Sequence, residues 1–297
     1  MAFMNIWLSS GKNITTAVIA FSIMLAFFFA SCEKEETSDF VKVAEVASTH
    51  LGADLDATYL FSILHKAIYD TALIRTDTSM IDSAWVYRST STLSNGTSYL
   101  FDYGDSTVSP DFNLKSGQIE AMLDSPFSGE NATIEATFDN YTVNNFRLEG
   151  SVSYKNLGEM MGGGLLLMFE SDIFFYKEDN LVLDYSGSKT ILWKEGFDQT
   201  ENVEIQVFEI SGTSESTYSN PENPDISQAE IAMEIVDVID VSFDCHKIVK
   251  YGKVLINETI PGFNESLTGD FIDSDVDGCS DKVMIKNEQN FGYPYYF

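Results

Sequence analysis

From Asp77 onward the sequence alternates apolar and polar residues with period two, and the alternation persists almost to the C-terminus. That period places successive side chains on opposite faces of a strand, so such a chain forms antiparallel sheets with one buried and one solvated face. Residues 133–155 show it most clearly. Ile134, Ala136 and Phe138 alternate with Glu135 and Thr137; beyond Asn144-Asn145, Phe146, Leu148, Val152 and Tyr154 alternate with Arg147, Glu149, Ser151 and Ser153. Asparagine tolerates the positive φ of a tight turn, which makes this segment a hairpin. Further strands are expected near 84–88, 98–103, 118–123, 165–176, 181–185, 190–193, 203–210, 230–241, 247–257, 267–272 and 282–287. Gly162-Gly163-Gly164 reads as the flexible start of the strand at 165; as a phosphate cradle it lacks the following lysine and helix.

Residues 42–73 repeat instead at three and four. Leu55, Tyr59, Leu60, Ile63, Leu64, Ala67 and Ile68 give one apolar stripe, that of a short helix or pair of helices packed on a sheet. Asp54 is placed to cap its N-terminus, and His65 is expected beside the stripe, partly buried. The fold class is therefore mainly β: antiparallel sheets, as a sandwich or a meander, with a short N-terminal helical segment. Residues 213–227 hold two of the six prolines and no apolar period, so they read as a surface loop and a boundary. An acidic-aromatic strand end and a "basic, x, Gly, x, aliphatic" strand start recur in opposite order, at 101–105 with 115–119 and at 250–254 with 271–275. This suggests two related β units, residues 41–212 with the helix and residues 228–297, or one continuous domain.

The N-terminus says where the chain resides. An apolar run from Ala17 to Ala30, broken only by Ser22, ends in Phe29-Ala30-Ser31-Cys32. It is shorter than the ~20 apolar residues of a membrane-spanning helix and has the length of a signal-peptide core. Small residues stand before the cysteine, where a signal peptidase needs narrow side chains. A cysteine at that position matches the bacterial lipobox. Residues 1–31 are then a lipoprotein signal peptide, Cys32 is lipidated, and residues 32–40 are an acidic tether. Several acyl chains on one residue provide the multiple hydrophobic signals that stable anchoring requires.

The whole chain carries a formal −29, and removing the leader takes away one basic residue, Lys12, and no acid. That charge argues against nucleic acid and against electrostatic binding to anionic lipid heads, and is compatible with a divalent cation or a basic partner. Hydrophobic residues at 44% and aromatics at 13% are those of a folded chain.

The segments FDYGDS, SPDF, KSGQI, TFDNYTVNNFRLEG and IVKYGKVLI, with DFIDSDVDGCSDKVMI near the end, resemble a family of Bacteroidota surface lipoproteins. The resemblance runs from about Ile81 to the C-terminus. Glu33-Lys34-Glu35-Glu36 resembles the acidic export tag of such proteins, which implies an outer-membrane lipoprotein displayed at the cell surface, with the periplasmic face as the alternative. Ser109 stands where the family's first cysteine sits, and Ser280 replaces the aspartate after the late one, which implies that a first-half disulfide is missing here. The resemblance carries no activity with it.

Three constellations could carry chemistry. Asp273-Ser274-Asp275-Val276-Asp277-Gly278 spells the first half of a calcium loop, with Asp281 at the ninth position, but the twelfth, which needs a bidentate carboxylate, is Met284. The competing reading of Asp273, Asp275, Asp277 and Asp281 is an acidic turn with no cofactor. Cys245 and Cys279 are expected to form a disulfide in an exported setting; as a nucleophile Cys245 is ill served by His246, which a strand would point to the opposite face. No G-x-S-x-G or H-E-x-x-H is present. Exposed aromatics could stack on sugars, although Trp85 and Trp193 lie in strands, where core packing is expected. The leading reading is a non-catalytic, lipid-anchored module that is structural, adhesive or ligand-binding, with a glycan or a protein as partner. The alternatives are a carboxylate-dependent glycoside-acting enzyme, or a lipid carrier shaped as a half-barrel with a helix lid.

Overall fold

The computed structural model describes residues 39–91, 96–161, 163–177, 180–196, 206–223, 226–245, 248–273 and 278–297. The chain divides into two units, Met1–Val43 and Ala44–Phe297. A helix, α1, occupies 39–69, and its residues from Ala44 on are described with the larger unit. A six-residue helix, α2 (Thr71–Thr76), follows, capped by Asp70, whose carboxylate accepts from the Leu73 N–H at 2.8 Å. Among the described residues no helix is long and apolar enough to cross a membrane.

The strands then run β1 (Thr78–Ile81), β2 (Ala84–Thr90), β3 (Thr97–Asp102), β4 (Thr107–Val108), β5 (Leu114–Leu123), β6 (Thr133–Val143), β7 (Phe146–Glu159) and β8 (Leu165–Tyr176). They continue with β9 (Val182–Glu195), β10 (Val207–Ser219), β11 (Gln228–Ser242), β12 (Val249–Ile260), β13 (Phe263–Asp273), β14 (Ser280–Lys286) and β15 (Gly292–Tyr296). The described residues form one sheet of fifteen strands in chain order, except that β4 pairs with β5 and lies off the path. Each pairing is antiparallel, so of sandwich and meander the meander is realised. The β6–β7 hairpin turns at Asn144 and Asn145, both at positive φ (48° and 69°).

Three sequence expectations need correction. Residues 213–219 belong to β10 and not to a loop, and β10 pairs with β11 directly, so residues 41–212 and 228–297 share one sheet. The alternation was present but its inward positions are polar: Ser214 and Ser216 are buried together with Tyr218. The expected strands at 181–185 and 190–193 are one, β9, running through Gly187 and Lys189. Finally, Asp54 caps nothing. The helix starts well before it, and its carboxylate is buried mid-helix.

The helix explains the shape of the sheet. Between Ala44 and Tyr69 only Glu45 is exposed. A helix buried on all sides needs neighbours on all sides. Its small residues Ala44, Ala47, Ala53, Ala57 and Ala67 let strands approach closely, while Phe61 reaches Tyr154 on β7 (5.1 Å between centroids), Phe169 on β8 (6.4 Å) and Phe208 on β10 (5.2 Å). From the early side of the sheet, Lys115 on β5 lies 3.6 Å from the Tyr59 ring centroid. From the last strand, the Tyr295 hydroxyl sits where a Cβ on Gly52 would be, 2.6 Å away. The sheet therefore curls around α1.

Strand twist alone gives a propeller-like sheet; register shifts at β-bulges add the bend. Shifts occur between Ser116 and Gln118 on β5 and between Ile210 and Thr213 on β10. Each brackets a glycine that no other residue could replace. A Cβ on Gly117 (φ +78°) would meet Asn140 O at 2.2 Å, and one on Gly212 (φ +139°) would meet Ser188 O at 2.3 Å.

Polar groups fix the register of helix against sheet. Lys189 donates to Asp54 Oδ2 (2.7 Å) and to Thr58 Oγ1 (2.6 Å), and Tyr185 donates to Asp54 Oδ1 (2.7 Å). Both members of the ion pair are almost wholly buried. Burial by itself would raise the Asp54 carboxyl; the adjacent Lys189 ammonium, helped by His50 and Tyr185, outweighs this and holds it below the usual range. Removing one member leaves a buried, unpaired charge. Lys189→Met is therefore expected to cost about 3–5 kcal/mol in a urea titration, whereas Asp54→Leu with Lys189→Met should recover most of that loss.

Candidate functional site

The sheet ends in two edges, β1 and β15, and the half-buried Gly52, Leu55, Asp56 and Lys66 of α1 line hollows flanked by residues of both. Two adjoining hollows of about 550 and 270 Å³ share Tyr59 and Ile248. On one side stand the β1–β2 turn (Met80 to Asp82) and the β4–β5 loop (Pro110 to Asn113). On the other stand Phe243 to Cys245, Ile248 and the C-terminal Tyr295, Tyr296 and Phe297. A further hollow of about 280 Å³ shares Gly52, Asp56, Asn144 and Tyr295 with the second and prolongs the cleft along the helix.

The β4–β5 loop is the most constrained part of this cleft. Phe112 is 72% exposed and sits at φ +63°, a region that a bulky aromatic residue rarely adopts. Such strain persists only where the surroundings impose it, and here they do. Asp111, 2% exposed, accepts from the Ser109 hydroxyl, from Asn113 Nδ2 (3.0 Å) and from Lys115 Nζ (3.0 Å). The Phe112 N–H donates to Ser109 O at 2.8 Å, and Asn144 Nδ2 donates to Asn113 Oδ1 at 2.7 Å. Lys115 connects this loop to the helix through the Tyr59 ring. The consequence is an aromatic face, Phe112, held out beside oriented amides, Asn113 and Asn144, with Tyr296 (65% exposed) also on the cleft.

Burial lowers the Lys115 ammonium, although Asp111 and other nearby acids pull it back up. Burial raises the Tyr59 and Tyr103 phenols well above their ordinary range, and Asp82 and Asp111 push both further. Neither hydroxyl has a hydrogen-bond partner of good geometry; for Tyr59 the neighbouring Asp82 carboxylate acts through space, being engaged by Lys66 at 2.9 Å through both oxygens.

The sequence-derived candidates distribute differently. Cys245 and Cys279 are joined, with Cα atoms 5.6 Å apart, and tie the β11–β12 turn to the start of β14 across β12 and β13. Closing a segment of that length contributes roughly 3–4 kcal/mol in the chain-entropy account. Cys32, Asp275, Asp277 and His246 lie outside the described residues, as does the side chain of Asp273; Asp281 is described, and its carbonyl accepts from the Phe297 N–H at 3.3 Å. Among the described residues no three His, Cys, Asp or Glu side chains gather around a point that could hold a metal. Trp193 is buried as expected, but Trp85 is 51% exposed. Ala84 and Val86 take the inward positions of β2, so Trp85 and Tyr87 point out. The cleft residues Lys115, Asp111 and Phe112 were missed. The readable signal was Lys115 itself, a cation at the same parity as Ile119, Ala121 and Leu123. Compared with known protein families, curated proteins and solved structures, the chain has no match.

His65 and His50 prove to be core residues. Nδ1 of His65 is 2.8 Å from Tyr154 Oη and Nε2 is 2.8 Å from Gln206 Oε1; His50 bridges Ser216 (2.7 Å) and Ser214 (3.0 Å). Burial depresses His50 to about 4 and His65 to about 3. Both stay neutral in the fold and protonate near 6.5 when unfolded, so their contribution is complete above 6.5 and is lost as the pH falls through about 4 for His50 and about 3 for His65. The loss is up to about 1.4 kcal/mol per pH unit for each histidine. Glu258 on β12 behaves oppositely. It is buried without a hydrogen-bond partner, and burial, then Glu265, raise it to about 8. Its contribution is present below 4.5 and lost as the pH rises to 8. Thermal melts should therefore show the parent declining below pH 6.5, and Glu258→Gln melting higher than the parent at pH 8 with the gain vanishing toward pH 4.5.

Proposed function

We propose that this protein is a lipid-anchored, surface-displayed binding module that takes a neutral carbohydrate segment in the cleft beside α1. The observation that carries this is Phe112, held exposed at positive φ beside Asn113 and Asn144 by the Asp111 network. A sugar ring has apolar C–H faces and a hydroxyl edge, and an aromatic face next to fixed amides matches both features. The formal −29 disfavours polyanionic ligands. Lipidation at Cys32 and the acidic residues after it supply the anchor and the address. Asp82 and Asp111 are each engaged by a buried or half-buried lysine, which favours holding a ligand over carboxylate catalysis. The interior is filled by α1 and its aromatic neighbours, which weighs against a lipid carrier.

The test is calorimetry of the soluble mature chain against neutral oligosaccharides, with cell-surface labelling run alongside. Parent protein should bind at least one of them. Phe112→Ala should bind it at least tenfold more weakly with an unchanged melting temperature, and Cys32→Ser should be lost from the cell surface. Equal affinity of the Phe112→Ala variant, or no neutral sugar bound by the parent, would sink the reading.

A further inference from the structure

The outer face of the sheet next to the cleft carries a cluster of exposed apolar side chains. Met80 (58% exposed), Trp85 (51%), Tyr87 (45%) and Met122 (56%) all point outward, with Leu100 between Tyr87 and Glu120. Pairing registers set them side by side: Met80 opposite Trp85, Tyr87 opposite Leu100, and Ser98 opposite Met122. Trp85 and Tyr87 share one face of β2, about 7 Å apart along the strand. A shallow hollow of about 490 Å³ lies over Tyr87, Leu100 and Met122 and is bordered by Glu120 and Glu135. Met80 also lines the cleft, so the apolar surface begins at the cleft mouth and passes over the β1 margin.

An apolar patch of this kind on a secreted protein marks a contact surface. Its border decides the occupant. Glu120 and Glu135 are acidic, and Arg88 is turned to Asp77 at 3.1 Å, which opposes a polyanion. A second mature copy, which loses Lys12 with the leader, would bring another −30 against it. Successive aromatic faces flanked by carboxylate acceptors suit successive sugar rings, whose hydroxyls donate to the carboxylates.

Resting on the carbohydrate reading of the cleft, we propose that the binding track runs from the cleft over Met80 onto Trp85, Tyr87 and Leu100, so that the physiological ligand is a neutral polysaccharide chain spanning both surfaces. The three tryptophans make this measurable. Trp7 leaves with the signal peptide and Trp193 is 1% exposed, which leaves Trp85 as the quenchable emitter of the mature protein.

Acrylamide quenching is measured with neutral β-glucan, mannan, galactomannan and arabinoxylan, and with trisaccharides cut from each. The polymer that binds should protect Trp85 from quenching, and its trisaccharide should not. Trp85→Ala with Tyr87→Ala should weaken polymer binding at least tenfold while leaving trisaccharide affinity at the cleft unchanged; both substitutions are on the solvated face, and the melting temperature checks that the fold is kept. If the trisaccharide binds through Phe112 but the double variant holds the polymer as tightly as the parent, the extended track is wrong and the cleft stands. If a polymer protects Trp85 yet Phe112→Ala has no effect, the cleft reading falls, and the spanning track falls with it. If no polymer protects Trp85, the track is overturned.

Discussion

A helix buried on every side is the constraint from which the rest of this structure follows. From Ala44 to Tyr69 the helix has almost no solvated face, and a flat sheet can cover only one. The meander meets that demand by curling, with bulges at Gly117 and Gly212 supplying bends that twist alone would not. Because the connections are local hairpins, the sheet can bring its first and last strands to the same helix without a crossover. The cleft is what remains where the two edges approach α1 and do not pair.

The polar pairs inside this wrap set position. Apolar contacts between a helix and a sheet tolerate a shift of a turn; a buried Asp54–Lys189 pair does not, because a shifted partner leaves a charge unsatisfied. His50 with Ser214 and Ser216, and His65 with Tyr154 and Gln206, repeat that arrangement at other levels of the helix. Asp111 and Lys115 carry it out to the surface: the same ion pair that ties β5 to Tyr59 also fixes the loop that presents Phe112. The shape of the cleft is thus coupled to the seating of the helix.

Much of the fold was legible in the sequence, because period two is insensitive to how a sheet curves. The strand at 165–176 and the turn at Asn144-Asn145 follow from local pattern alone. Closure around the helix was not legible. An apolar stripe and an all-round apolar surface differ only by residues such as Ala47, Ser48, Ala53, Ser62 and Ala67, which are small enough to read as either face. The alternation of β10 was hidden for a related reason: its inward serines face His50. Trp85 failed in the opposite way, since both the aromatic and the aliphatic parity of β2 are plausible core faces. The cleft depends on a strained loop and a buried lysine, and neither is a pattern with a period.

The wrapped helix is most directly tested by native-state hydrogen exchange read by mass spectrometry on the mature chain. Amides of peptides covering 50–65 should exchange only through global unfolding, as slowly as those of β7 to β10, and should lose that protection together with them as urea is added. Exchange of 50–65 many times faster than the central strands would mean that the helix sits on the sheet and not within it, and would contradict a sheet curled around α1.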